Sequence, residues 1–105
     1  MAKKIVFPEN KIRSFCKKHH IILMALFGSV LTSNFSSKSD VDILIQFKKN
    51  QGPNFLEFID MEEELSEIIG RKVDLNTPND LSRYFRDEVL EKAKVIYGRK
   101  RHSAS

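Results

Sequence analysis

Asp40 and Asp42 stand at i and i+2 at the head of an apolar run, Val41, Ile43, Leu44 and Ile45. In a strand the pleat sends alternate side chains to one face, so both carboxylates share a face with Cα atoms roughly 7 Å apart. Like charges that close repel unless a cation lies between them, and Asp is depleted in strands. A hard divalent cation with oxygen ligands resolves both difficulties. Asp74, within Arg71-Lys72-Val73-Asp74-Leu75, is a third carboxylate between apolar neighbours. If its strand pairs beside that of Asp42, three carboxylates share one sheet face and can hold Mg²⁺. There Mg²⁺ would bridge a nucleotide's phosphates and neutralise the charge of phosphoryl transfer. Gly28 and Ser29 precede this set. Gly28 closes an apolar run and lets a phosphate approach the backbone. Ser29 would open a short helix whose N–H groups face that phosphate, with its hydroxyl as one more donor. Gly-Ser alone reads as a plain turn, and Asp alone is common where a loop enters a strand. The combination is what points to phosphate chemistry.

These residues need elements to hold them. Phe7-Pro8-Glu9 signals a helix start. Ile12, Phe15 and Cys16 give that helix an apolar face, ending near Lys18 or His19. His20 to Phe27 reads as a buried strand stopped by Gly28. Residues 29–39 contain five serines, one threonine and one asparagine. Apolar strands flank them closely, so a short helix and a loop are expected rather than a linker. Asp40 to Phe47 alternates, with Asp40, Asp42, Leu44 and Gln46 on one face and Val41, Ile43, Ile45 and Phe47 on the other. A helix is expected over 54–69, its stripe formed by Phe55, Phe58, Ile59, Met61, Leu65, Ile68 and Ile69, with Gly70 as its C-terminal stop. Arg71 to Asn76 reads as a third strand. A last helix is expected from Ser82 to Ala93 or on to Ile96, with Gly98 opening a tail. The implied class is α+β, a small α/β sandwich with helices on at least one sheet face.

The whole chain is 105 residues and 12.2 kDa, one small domain over 1–98 with a basic, disordered tail over 99–105. Hydrophobic residues are 41% and charged residues 30%, a globular composition. No apolar run is long enough to cross a bilayer, and Met-Ala-Lys-Lys is not followed by a signal-peptide core. The single cysteine, Cys16, excludes an internal disulfide and a CxxC zinc site. A cytoplasmic protein is expected. The net charge of +4 hides an asymmetry. Lys3, Lys4, Lys11, Arg13, Lys17 and Lys18 crowd one end and Arg99, Lys100 and Arg101 the other, while Glu57, Asp60, Glu62, Glu63, Glu64 and Glu67 acidify the middle. That pattern suits a complementary partner or a phosphate ligand better than a nucleic-acid groove. The sequence lacks a GxxxxGK[ST] loop and an aromatic-interleaved basic strand. His19 and His20, being adjacent, diverge and make a poor metal pair; they read as a helix-to-strand junction.

Leu26-Phe27-Gly28-Ser29, followed after a serine-rich interval by Ser39-Asp40-Val41-Asp42-Ile43-Leu44, resembles the Gly-Ser…Asp-x-Asp signature of the DNA polymerase β-like nucleotidyltransferases. The chain length and Gly70-Arg71-Lys72-Val73-Asp74-Leu75-Asn76-Thr77-Pro78 resemble the minimal nucleotidyltransferases, which include MNT-domain antitoxins encoded beside HEPN-domain toxins. Val89 to Tyr97 is similar to the family's last helix, so the likeness runs from about Ile21 to Gly98. The resemblance implies that Asp40 and Asp42 bind catalytic Mg²⁺, that Asp74 is metal ligand or base, and that Gly28, Ser29 and Ser39 hold the nucleotide. It implies transfer of a nucleoside monophosphate, AMP from ATP, to a hydroxyl with release of pyrophosphate. In the antitoxins the acceptor is a tyrosine of the HEPN toxin, which AMP addition blocks.

Thr32 departs from the pattern: the family usually has Arg there, in Gly-Ser-x-Ala-Arg-Gly, and Thr supplies neither the charge nor the bidentate fork. Lys38 is the candidate replacement. Two readings therefore stand: an adenylylating enzyme, and an antitoxin that neutralises its toxin by binding alone. The retained aspartates favour the first. A domain this small leaves little acceptor-binding surface, so a large partner, or a second copy of the chain, is expected to complete the active complex.

Overall fold

The computed structural model describes residues 7–28, 40–78 and 83–98. Its elements run α1 (Glu9–Lys18), β1 (Ile21–Phe27), β2 (Val41–Phe47), α2 (Phe55–Ile69), β3 (Val73–Asn76), α3 (Arg83–Lys92) and β4 (Lys94–Gly98). The four strands form one sheet in the order β3-β2-β1-β4. β1 pairs antiparallel with both β2 and β4, whereas β2 and β3 are parallel. A parallel pair needs a crossover, and α2 supplies it. The α+β class expected from the sequence is the class observed.

Local chemistry explains most boundaries. Pro8 is the N-cap of α1 rather than its first residue, and Glu9 follows in the first turn. Asn54 caps α2 with a reciprocal box: Glu57 N–H donates to Asn54 Oδ1 at 2.8 Å and Asn54 N–H to Glu57 Oε1 at 2.9 Å. Gly70, at φ +78°, ends α2 in the left-handed conformation that costs glycine least.

The pleat divides the core in two. On one face Met24 and Leu26 of β1, Val41, Ile43 and Ile45 of β2, and Val73 and Leu75 of β3 pack against α1 and α2. The helices contribute Ile12, Phe15 and Cys16, and Met61, Leu65 and Ile69. On the other face a smaller cluster joins Ala25, Phe27 and Leu44 to Val89 and Ala93, at the end of α3. β1 and β2 are therefore covered on both sides, which is why their sequences read as near-continuous apolar runs.

Two expectations are corrected. The last helix stops at Lys92, and Lys94–Gly98 is a strand on the free edge of β1, not the end of a helix. Val95, Ile96 and Tyr97 are strand-favouring types, and the exposed edge of β1 gave them a ladder to join. α2 also exposes Phe55, Leu56 and Ile59, at 76%, 71% and 37%, so the apolar stripe is narrower than its sequence suggests. The expected short helix after Ser29 and the basic tail over 99–105 lie outside the described residues.

Candidate active site

Phe27 pairs with Asp42 across β1 and β2, and Asp42 pairs with Asp74 across β2 and β3. One row across the sheet thus joins the end of β1, the start of β2 and the middle of β3. Register partners share a face. The face is that of Phe27 and Leu44, opposite α1 and α2. The sequence-based condition, that the third strand lie beside the second, is met.

Gly28 takes φ +74° just after Phe27. A Cβ at this position would collide with Asp42 Oδ2 and lie 3.2 Å from Asp42 Cγ. The positive φ favours glycine, and the Asp42 carboxylate lies against its Cα.

Asp42 is half-buried, while Asp40 and Asp74 are exposed. The backbone aligns Asp42 and Asp74, but among the described residues no group of three His, Cys, Asp or Glu side chains is gathered closely enough to hold a metal ion. The oxygen donors nevertheless suit a hard cation. Ser29, Ser39, Thr32 and Lys38 lie outside the described residues.

Two polar groupings escaped the sequence reading. Glu62 and Ser66 of α2 hydrogen-bond the backbone of β3: Leu75 N–H donates to Glu62 Oε2 at 2.9 Å and Val73 N–H to Ser66 Oγ at 3.0 Å. Their signal was two polar residues at i, i+4 beside an apolar stripe. Between them in sequence, Glu64 turns toward α1, where His19 Nε2 and Lys18 Nζ lie 3.1 and 3.3 Å from its carboxylate. Burial pushes the Glu64 pKa up, but hydrogen bonds and charge from His19 and Lys18 outweigh it and hold the group below its usual range. This cluster borders a groove of about 310 Å³ lined by Asn10, Lys11, Ser14, Phe15, Lys18 and Ile68. The groove lies over the α1–α2 face, away from the aspartates.

The polymerase beta nucleotidyltransferase family model matches residues 10–102. The protein adenylyltransferase MntA of Thermococcus cleftensis is 35% identical over 74 residues, 70% of this chain and 71% of that protein. A candidate protein adenylyltransferase of Methanocaldococcus jannaschii is 32% identical over 96 residues, 84% of this chain and 95% of that one. The structure of a tri-AMPylated Shewanella oneidensis HEPN toxin in complex with its MNT antitoxin matches with a TM-score of 0.62 at 22% identity, covering 87% of this chain and 70% of that chain. The family model spans every strand that carries an aspartate of the candidate site, and the chain belongs to the polymerase beta nucleotidyltransferase family.

Proposed function

We propose that this nucleotidyltransferase transfers AMP from ATP to a tyrosine hydroxyl of a HEPN-type toxin, and so acts as an antitoxin. The observation that carries the reading is the row Phe27–Asp42–Asp74 with Gly28 laid against the Asp42 carboxylate. It brings a glycine in the left-handed conformation at the end of β1 beside carboxylates on one sheet face. The relatives named as adenylyltransferases and the AMPylated toxin bound to an MNT antitoxin support the acceptor class.

Asp40, Asp42 and Asp74 would hold Mg²⁺, which when bound supplies positive charge to the triphosphate and the departing pyrophosphate. The residues of the chain do the rest. Gly28 leaves room for a phosphate at its N–H, with Ser29 and Ser39 as further donors. Asp74 can take the proton of the acceptor hydroxyl. That oxygen forms a bond to the α-phosphorus, the bond from α-phosphorus to the bridging oxygen breaks, and the electron pair leaves with pyrophosphate.

The test is incubation of the chain with labelled ATP, Mg²⁺ and the product of the neighbouring gene. Label is expected on a tyrosine of the partner and is expected to vanish with Asp40→Ala plus Asp42→Ala. Absence of label, or label that survives this double substitution, overturns the proposal. Thr32 motivates the second reading, neutralisation by binding alone. In that case toxin neutralisation in cells is unchanged by alanine at all three aspartates.

A further inference from the structure

Among the described residues β3 is an edge strand of four residues, paired with β2 alone. So short an edge is weakly held by its ladder alone. Val41 N–H donates to Lys72 C=O at 2.9 Å, so Lys72 and Asp74 turn their backbone groups toward β2 while Val73 and Leu75 turn theirs outward. Those two outward N–H groups are the ones that α2 meets, through Ser66 Oγ and Glu62 Oε2. The Ser66 hydroxyl donates in turn to the Glu62 carbonyl at 2.8 Å, which fixes its lone pair on Val73. The Glu62 bond engages a carboxylate on a half-buried side chain, the stronger kind of hydrogen bond.

Val73 and Leu75 flank Asp74 on both sides. Their side chains are buried in the cluster that packs against α2, and the pleat sends the Asp74 side chain to the opposite face. α2 therefore grips the backbone immediately before and after Asp74 without touching its carboxylate. We propose that Glu62 and Ser66 are positioning residues for Asp74: they hold β3 in the register that keeps Asp74 opposite Asp42. This rests on the reading of Asp42 and Asp74 as one divalent-cation site.

The experiment uses the full chain, with Mn²⁺ as a paramagnetic probe and backbone amide NMR. Glu62→Ala is expected to speed exchange of the Leu75 amide while leaving Met24 in β1 protected. It is expected to weaken the backbone contacts between Asp42 and Asp74, and to raise the Mn²⁺ concentration that broadens the Asp74 amide by about tenfold or more, the usual cost of losing a supporting group. Glu62→Gln keeps an oxygen acceptor without the charge and is expected to lie much closer to the wild type than to Glu62→Ala in all three measurements. Ser66→Ala gives a milder version of Glu62→Ala, and stands in if that variant does not fold. Faster Leu75 exchange with unchanged Mn²⁺ response makes Glu62 a structural residue only and overturns the proposal. Equal losses in Glu62→Gln and Glu62→Ala also overturn it, because charge rather than position would be at work. A wild type whose Asp42 and Asp74 amides ignore Mn²⁺ refutes the metal reading instead. In that case the Asp42–Asp74 contacts alone still decide whether Glu62 holds the register.

Discussion

The two faces of the sheet are made by the same strands and differ in nearly every physical respect. Among the described residues the face under α1 and α2 is apolar from Ile12 to Leu75, with fourteen buried residues in one cluster. The face toward α3 has five among the described residues, and at its edge the pattern changes to Gly28, Asp42 and Asp74. On β2 the change takes one residue: Val41 and Ile43 are sealed, while Asp42 between them opens to the other side. The deep face carries the cost of folding, which leaves the shallow face able to keep charges that a core would not tolerate. On this sheet, stability and chemistry are separated by the pleat.

Substitutions at adjacent positions of β2 should separate the two faces most widely. Asp42→Ala is expected to lower nucleotidyl transfer by about 100-fold or more, since cation charge at the phosphates supplies several kcal/mol. Its unfolding midpoint in urea should stay close to the wild type. Ile43→Ala should do the reverse, costing about 2–5 kcal/mol of stability by leaving a cavity, with activity retained in the fraction that folds. A large stability loss from Asp42→Ala would break the division.

Gly28→Ala tests the meeting point of the two roles. The added methyl would strike the Asp42 carboxylate, and the positive φ would be strained. Stability should fall by about 1 kcal/mol from backbone conformation. Transfer should fall further than that, with the larger change in ATP binding. Equal loss of kcal/mol in unfolding and in kcat/KM would mean that the glycine serves the turn alone.

How legible each face was follows from how local its signals are. The deep face was readable because periods of 2 and 3.6 are written into neighbouring residues: Val41, Ile43 and Ile45, or Met61 and Leu65. The aspartate pair was readable for the same reason. The pairing of Asp42 with Asp74 joins residues 32 positions apart and entered only as a condition on strand order. β4 was misread because Lys94 to Tyr97 follow a helix without an intervening breaker, and an open edge of β1 decided their conformation. In the sequence Glu62 reads as one member of an acidic run. Only the packing of α2 on β3 distinguishes it from Glu63, which is exposed.

Cys16 gives a smaller test of the deep face. It is fully buried, and burial pushes its thiol pKa up to about 12. The thiolate is the reactive form. At pH 8 in native buffer an aromatic disulfide reagent should therefore react about 10³-fold or more slowly than in urea, at a rate set by opening of the fold. A rate near the unfolded one would show that the α1–α2 face opens readily and would remove the contrast between the faces.

The smallest effect concerns the rim of the deep face, where Glu64 meets His19 and Lys18. Its folded pKa lies below the ordinary value near 4.5, so the unfolded chain binds the proton more readily. The stabilisation is therefore complete above about 4.5 and is lost as the pH falls through the folded value. Lys18 is 64% exposed and Glu64 36% exposed, so screening limits the gain to about 0.2–1 kcal/mol. Glu64→Gln should lower the thermal midpoint slightly at pH 6–7, and the two melting curves should merge as the pH drops below the Glu64 pKa. Added salt should narrow the gap at pH 7, because exposed charges are screened. Transfer activity should be unchanged at every pH where both proteins are folded, since Glu64 and the aspartates lie on opposite sides of the sheet. A drop in activity with Glu64→Gln at pH 7, with no change in melting, would mean that the two faces communicate and that the groove beside Phe15 belongs to the functional surface.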